Sequence, residues 1–182
     1  MTRYIASLFL LGLTSLPCAA NDDFDFSLFA KSEFNALDDH IISTGFEVLG
    51  YFNHTPFGIG FISALGNASV TTEQGYREDF LTLDTGLKFG YFSTIYAYGE
   101  LGFDAFELMF HDQRNNDRYS NHSSITVYNA PNNEIDAYLG AGIGVQIEHL
   151  KLEAYTRYRQ IDGNGWEAKD NHFTGLQLSF SF

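Results

Sequence analysis

The sequence predicts an all-β protein: an eight-stranded antiparallel up-and-down transmembrane β-barrel with long extracellular loops and short periplasmic turns. Three observations predict it. Eight segments alternate apolar residues with polar residues or glycine at period two. The connections between them read as long and short in turn, and the charged residues keep to one face of each segment. Composition agrees. The chain has 182 residues, is 16% aromatic, and carries 17 Gly against 3 Pro. No stretch after residue 20 approaches the ~18 apolar residues of a membrane-spanning helix. With 10 Lys and Arg against 23 Asp and Glu, the net charge is −13, which speaks against nucleic acid as a partner.

Residues 1–20 read as an export signal. Arg3 gives a positive start, Ile5 to Leu16 an apolar run, and Cys18-Ala19-Ala20 a small-residue cleavage site. Cleavage after Ala20 leaves a barrel domain of residues 21–182, without cysteine and more acidic by the loss of Arg3. Cys18 raises lipidation as an alternative, but Pro17 directly before it fits a lipidation box poorly.

The strands follow in order. Phe24, Phe26 and Leu28 open the first, and Thr44, Phe46, Val48, Gly50 and Phe52 mark the second. Phe57 to Leu65 is the faintest, because its glycines blur the faces. Leu81, Leu83, Thr85, Leu87, Phe89 and Tyr91 form one face of the fourth, and Ile95, Ala97, Gly99, Leu101 and Phe103 that of the fifth. The sixth runs Ile135 to Ile147, the seventh Leu150 to Tyr158, the eighth Thr174 to Phe182. Between them lie 35–41, 53–56, 66–79, 92–94, 109–133, 148–149 and 161–171. Long loops outside and tight turns inside are what a barrel with both ends on the periplasmic side requires.

Charge says which face meets lipid. A Lys or Arg on the lipid face costs about 2–4 kcal/mol at the bilayer midplane. The apolar faces above carry no charge, whereas Glu47, Asp84, Lys88, Glu100, Asp104, Asp136, Lys151, Glu153, Arg157 and Arg159 all fall on the other face. These ten are the expected polar network of the lumen, with Asp136 set beside Lys151, Arg157 and Arg159. Gly140, Gly142 and Gly144 leave room there for Tyr155 and Arg157. Aromatics crowd the short turns at Tyr51, Phe52 and Phe57, at Tyr91, Phe92 and Tyr96, and at Phe180 and Phe182. An interfacial girdle sits at such heights.

In this architecture the chain resembles the small eight-stranded outer-membrane barrels of Gram-negative bacteria, of the OmpA transmembrane-domain, OmpX and Ail kind. The sharpest piece is the C-terminus, Gly175-Leu-Gln-Leu-Ser-Phe-Ser-Phe182. The resemblance implies that Gly175, Leu178, Phe180 and Phe182 belong to a signal read by the barrel-assembly machinery. It also implies an outer-membrane location among lipids and lipopolysaccharide.

Other candidates have plainer readings. The inward charges fit a polar plug better than a narrow ion path, since eight strands enclose just enough space for side chains. His122 and Ser124 echo the His and Ser of outer-membrane lipid hydrolases. They sit, however, in the longest loop, with nothing to orient a base. His111, Asp112, Asp117 and His122 lack metal-ligand spacing. Glu73, Glu78 and Asp79 would hold Ca²⁺ or Mg²⁺ only loosely. No cofactor or metal is expected. Tyr119 and Tyr128 in the 109–133 loop, and Trp166 in the last loop, are the expected surface contacts, Trp166 also suiting an interfacial anchor.

The function expected is non-catalytic: a structural, adhesion or surface-interaction role facing lipopolysaccharide, host surfaces or other ligands. The alternatives are a narrow porin, a lipid-modifying hydrolase and a soluble lipocalin-like binder of apolar ligands.

Overall fold

The computed structural model describes residues 24–53, 55–106, 135–163 and 165–182. Eight strands close into a barrel: β1 (Phe24–Phe34), β2 (His40–Tyr51), β3 (Phe57–Thr71), β4 (Arg77–Tyr91), β5 (Ile95–Asp104), β6 (Ala137–Ile147), β7 (Leu150–Arg159) and β10 (His172–Ser181). The minor hairpin of β8 (Asp162–Gly163) and β9 (Trp166–Glu167) lies within the last connection. Each barrel strand pairs antiparallel with its neighbours, in the order β1-β10-β7-β6-β5-β4-β3-β2. The seam is β1 against β10, from Ser27–Ser181 to Phe34–Thr174. Closure leaves no free edge along the seam.

The alternation seen in the sequence separates inside from outside. Leu139, Ile143, Leu152, Leu176 and Leu178 stand exposed on the outer wall, while Lys88, Glu100, Glu153 and Arg157 are fully enclosed. This arrangement inverts that of a soluble barrel. Near the turn end an aromatic chain bridges the seam. Phe182 lies 6.0 Å from Phe26 and 5.1 Å from Phe180, and Phe26 in turn stacks 6.2 Å from Phe46. Among the described residues no helix is long and apolar enough to cross a membrane.

Two expectations need correction. Residues 66–79 do not form a long loop. β3 and β4 pair as far as Thr71 with Arg77, leaving only 72–76 as a turn, with Gly75 at φ 87°. Ala68, Val70 and Phe80 keep the alternation going because they have an apolar partner to bury against at the barrel mouth. The first connection also shortens, to 35–39. The second correction concerns the girdle. Phe52, Phe57, Tyr91, Phe180 and Phe182 do stand exposed, but Phe92 and Tyr96 turn inward and close the turn end of the lumen.

Candidate functional site: the filled lumen and its cap

The lumen is built in three layers. At the turn end Leu49, Phe92, Tyr96, Tyr98 and Tyr155 form an apolar cluster, with Tyr51 against it. The middle is charged. Five of the chain's 10 Lys and Arg side chains meet there, all buried: Lys31, Lys88, Lys151, Arg157 and Arg159. At the loop end Ile41, Ala68, Val70, Phe80, Ile161, Trp166, Ala168 and Phe173 make a second apolar layer.

The charged layer divides in two. Nearer the turn end, Lys88 Nζ sits 2.7 Å from Glu47 and 2.8 Å from Glu153, over the Tyr98 ring at 4.3 Å. Tyr98 donates its hydroxyl to Glu153 at 2.7 Å, and Gln177 donates to the other Glu153 oxygen at 3.2 Å. Lys151 reaches Asp25 at 2.8 Å and Ser27 at 3.0 Å. Above this, Arg157 and Arg159 from β7 share Glu33, Asp84 and Glu100. Arg157 grips Glu100 with Nε and Nη2, and meets Glu33 at 2.6 Å. Arg159 holds Asp84 at 2.6 and 2.9 Å, and Lys31 adds a third cation 3.0 Å from the same carboxylate. Such forked, charge-assisted contacts are the strong kind. They are also what makes burial of so many charges tolerable.

All ten lumen residues expected from the sequence lie inside, but their pairing differs from the expectation. Lys151, Arg157 and Arg159 reach across to β1, β4 and β5, while Asp136 accepts the Asp162 amide at 3.2 Å. Asp104, at the end of β5, takes the amides of Leu83 on the neighbouring β4 and of Phe106 just beyond it. In so narrow an interior a long side chain spans the lumen as readily as it reaches a neighbour. The sequence reading missed Asp25, Lys31 and Glu33. The alternation of Phe24, Phe26 and Leu28, continued through Ala30 to Phe34, would have placed all three on the inner face.

Inward glycines make this packing possible. A Cβ at Gly140 would fall 2.8 Å from both Arg157 Cγ and Glu100 Oε1, and one at Gly142 would fall 2.5 Å from the Tyr98 ring and 2.9 Å from Tyr155 Cβ. Tyr96 lies over Gly144, and Tyr138 over Gly86 and Gly102. Each ring occupies the space that a neighbouring strand leaves empty.

At the loop end the connections interlock. Buried Asp39 accepts the Thr71 amide at 2.8 Å, the Thr71 hydroxyl at 2.7 Å and Asn35 Nδ2 at 2.8 Å, with Arg77 3.5 Å away. The last connection is tied to the β3–β4 turn by Glu73 N to Glu167 O, by Lys169 N to Thr71 O and by a Thr72–Ala168 bridge. Trp166 is thus no surface contact. It is 7% exposed, its ring 6.0 Å from Phe80, because a large apolar side chain near an apolar mouth is better buried than wet. On the tip of the β3–β4 turn, partial burial and the Glu78 carboxylate raise the Tyr76 phenol above its ordinary pKa.

Among the described residues no group of His, Cys, Asp or Glu is arranged to hold a metal ion. Residues 1–23 and the side chains of Tyr119, Tyr128, His111, Asp112, Asp117, His122 and Ser124 lie outside the described residues. On the last strand Leu176, Leu178 and Phe180 face outward, with Gly175, Gln177, Ser179 and Ser181 facing in.

No family model matches the chain. No curated protein matches it either. Among solved structures it is similar to one described as "De novo design of transmembrane beta-barrels", at 12% identity, TM-score 0.49, covering 87% of this chain and 95% of that one.

Proposed function

We propose that this chain is an outer-membrane β-barrel with a non-catalytic role, structural or interactive, at the cell surface. The observation that carries the reading is the inverted barrel. Every strand presents an apolar outer wall, and the charges of its middle are enclosed, an arrangement stable only where the wall meets lipid or detergent. Export through a cleaved signal at residues 1–20, and assembly through the aromatic C-terminal strand, complete the proposal. The resemblance to the OmpA, OmpX and Ail kind supports a role in adhesion or envelope integrity by analogy of fold alone. Lipopolysaccharide, lipids and host or other surface ligands are the partners that the loop end would face. A filled lumen, closed by apolar layers at both ends, favours this reading over a porin.

The test is gel mobility of the outer-membrane fraction in SDS, boiled against unboiled. A shift on boiling, in material that leaves the membrane only with detergent, is the expected result. A chain found free in the periplasm or medium without such a shift would sink the proposal.

A further inference from the structure

The turn end of the barrel is concave. A cavity of about 530 Å³ opens there, walled by residues of the β2–β3, β4–β5 and β6–β7 connections and the strand ends beside them. Tyr51, Pro56 and Phe92 give it apolar faces. Phe92 is held from within the lumen, its ring 5.9 Å from Tyr96 and 6.4 Å from Tyr98. Backbone bonds tie the walls together: Phe92 N donates to Pro56 O at 2.6 Å, and Gln146 N to Thr94 O at 2.8 Å. The recess is thus already formed in the closed barrel, as small-molecule sites of this size commonly are. Its polar lining is of one sign. Thr55, Ser93 and Thr94 bring hydroxyls, Gln146 an amide, and Glu148 the one charge. Glu148 is exposed, and its carboxylate makes no ion pair among the described residues. Nor does any described Lys or Arg stand exposed at this end. Five are buried in the lumen, and Arg77 and Lys169 lie at the loop end.

We propose that this recess is a binding site for an amino sugar, a mono- or disaccharide carrying an ammonium group. It lies at the opposite end from the loops assigned to surface contacts, so it adds a second role to the barrel. Glu148 pairs with the ammonium in a charge-assisted contact, and the aromatic walls favour the same cation. Sugar hydroxyls exchange hydrogen bonds with Ser93, Thr94 and Gln146, while the C–H face of the ring rests on Phe92 and Pro56. Other ligand classes fit less well. An anion meets Glu148 with no exposed cation to offset it. A wholly apolar ligand would strip water from the hydroxyls and the amide and return nothing. An extended peptide needs backbone partners, and Phe92 N, Pro56 O, Gln146 N and Thr94 O are already paired with one another.

The full chain in detergent micelles is titrated by calorimetry with the deacetylated disaccharide of glucosamine, at a pH below the pKa of its amines. Cellobiose, the same frame with hydroxyls in place of the ammonium groups, is titrated in parallel. Saturable binding of the amino sugar with Kd below about 1 mM is expected, at least about tenfold tighter than cellobiose. Glu148→Gln should bring the two sugars close to parity. Ser93→Phe, which puts a ring into the recess, should abolish binding of both. Absence of saturable heat from the amino sugar, or equal affinity for the two, overturns the proposal. So does binding of the amino sugar that survives either variant undiminished, since it would then sit elsewhere on an acidic chain. The paired wild-type titrations decide the matter even where a variant does not fold.

Discussion

Glu100 and Arg157 are joined across a strand to which neither belongs. Glu100 is on β5 and Arg157 on β7, and both are opposite Gly140 of β6, the strand between them. Arg157 Nη2 and Glu100 Oε2 meet at 2.8 Å over the bare backbone of that glycine. The missing side chain is what lets β5 and β7 share a charge pair.

Gly140→Ala should therefore cost more than its one methyl suggests. The added carbon would press on both partners, and overpacking of this kind costs about 1–3 kcal/mol. Urea midpoints in detergent would show it, with Ala141→Gly on the outer face as the contrasting change. An unaltered midpoint for Gly140→Ala would mean that the pair moves aside freely.

Arg157→Met should be among the most damaging single changes in the lumen. It leaves Glu100 and Glu33 buried and short of a cation, a loss of about 3–5 kcal/mol. Adding Glu100→Gln should recover part of that loss, because the partners are coupled rather than independent. Strict additivity in this double-mutant cycle would count against the network.

The outer wall makes a separate prediction. Ile143 is 64% exposed near the middle of β6. On a soluble protein Ile143→Arg would shift stability by no more than about 0.5 kcal/mol. In a bilayer it should cost about 2–4 kcal/mol. Unfolding titrations in lipid vesicles distinguish the two.

Asp39→Ala should loosen the loop end without opening the barrel. Thr71, Asn35 and Arg77 would lose a shared acceptor, at about 1–3 kcal/mol for the groups left unpaired. Faster trypsin cleavage after Arg77 and Lys169, with heat-modifiable mobility retained, is the expected signature. Unchanged cleavage would show that the bridge between 72 and 168 suffices alone.

The layered lumen predicts no discrete conductance in planar bilayers. Ions would have to pass Phe92 and Tyr96 at one end and Trp166 and Phe173 at the other. Regular single-channel steps from the wild-type chain would contradict this packing.

The sequence by itself determined the barrel and the sorting of its faces. Period-two alternation is local, and a charge that must avoid an apolar wall betrays its side wherever it sits. Hence Glu47, Lys88, Glu153 and Arg157 could be placed inside before any coordinates. It failed where the answer depends on distant partners. Val70 and Phe80 continue their strands only because Ile41, Trp166 and Phe173 wait at the mouth to bury them. Trp166 reads as a surface residue until the cup it fills is assembled from β2, β3, β4 and β10. Lys151 and Arg159 find their carboxylates across the lumen, a choice set by curvature and side-chain reach rather than by strand order. Local chemistry fixes which way each residue faces. Closure of the ring decides what it meets there.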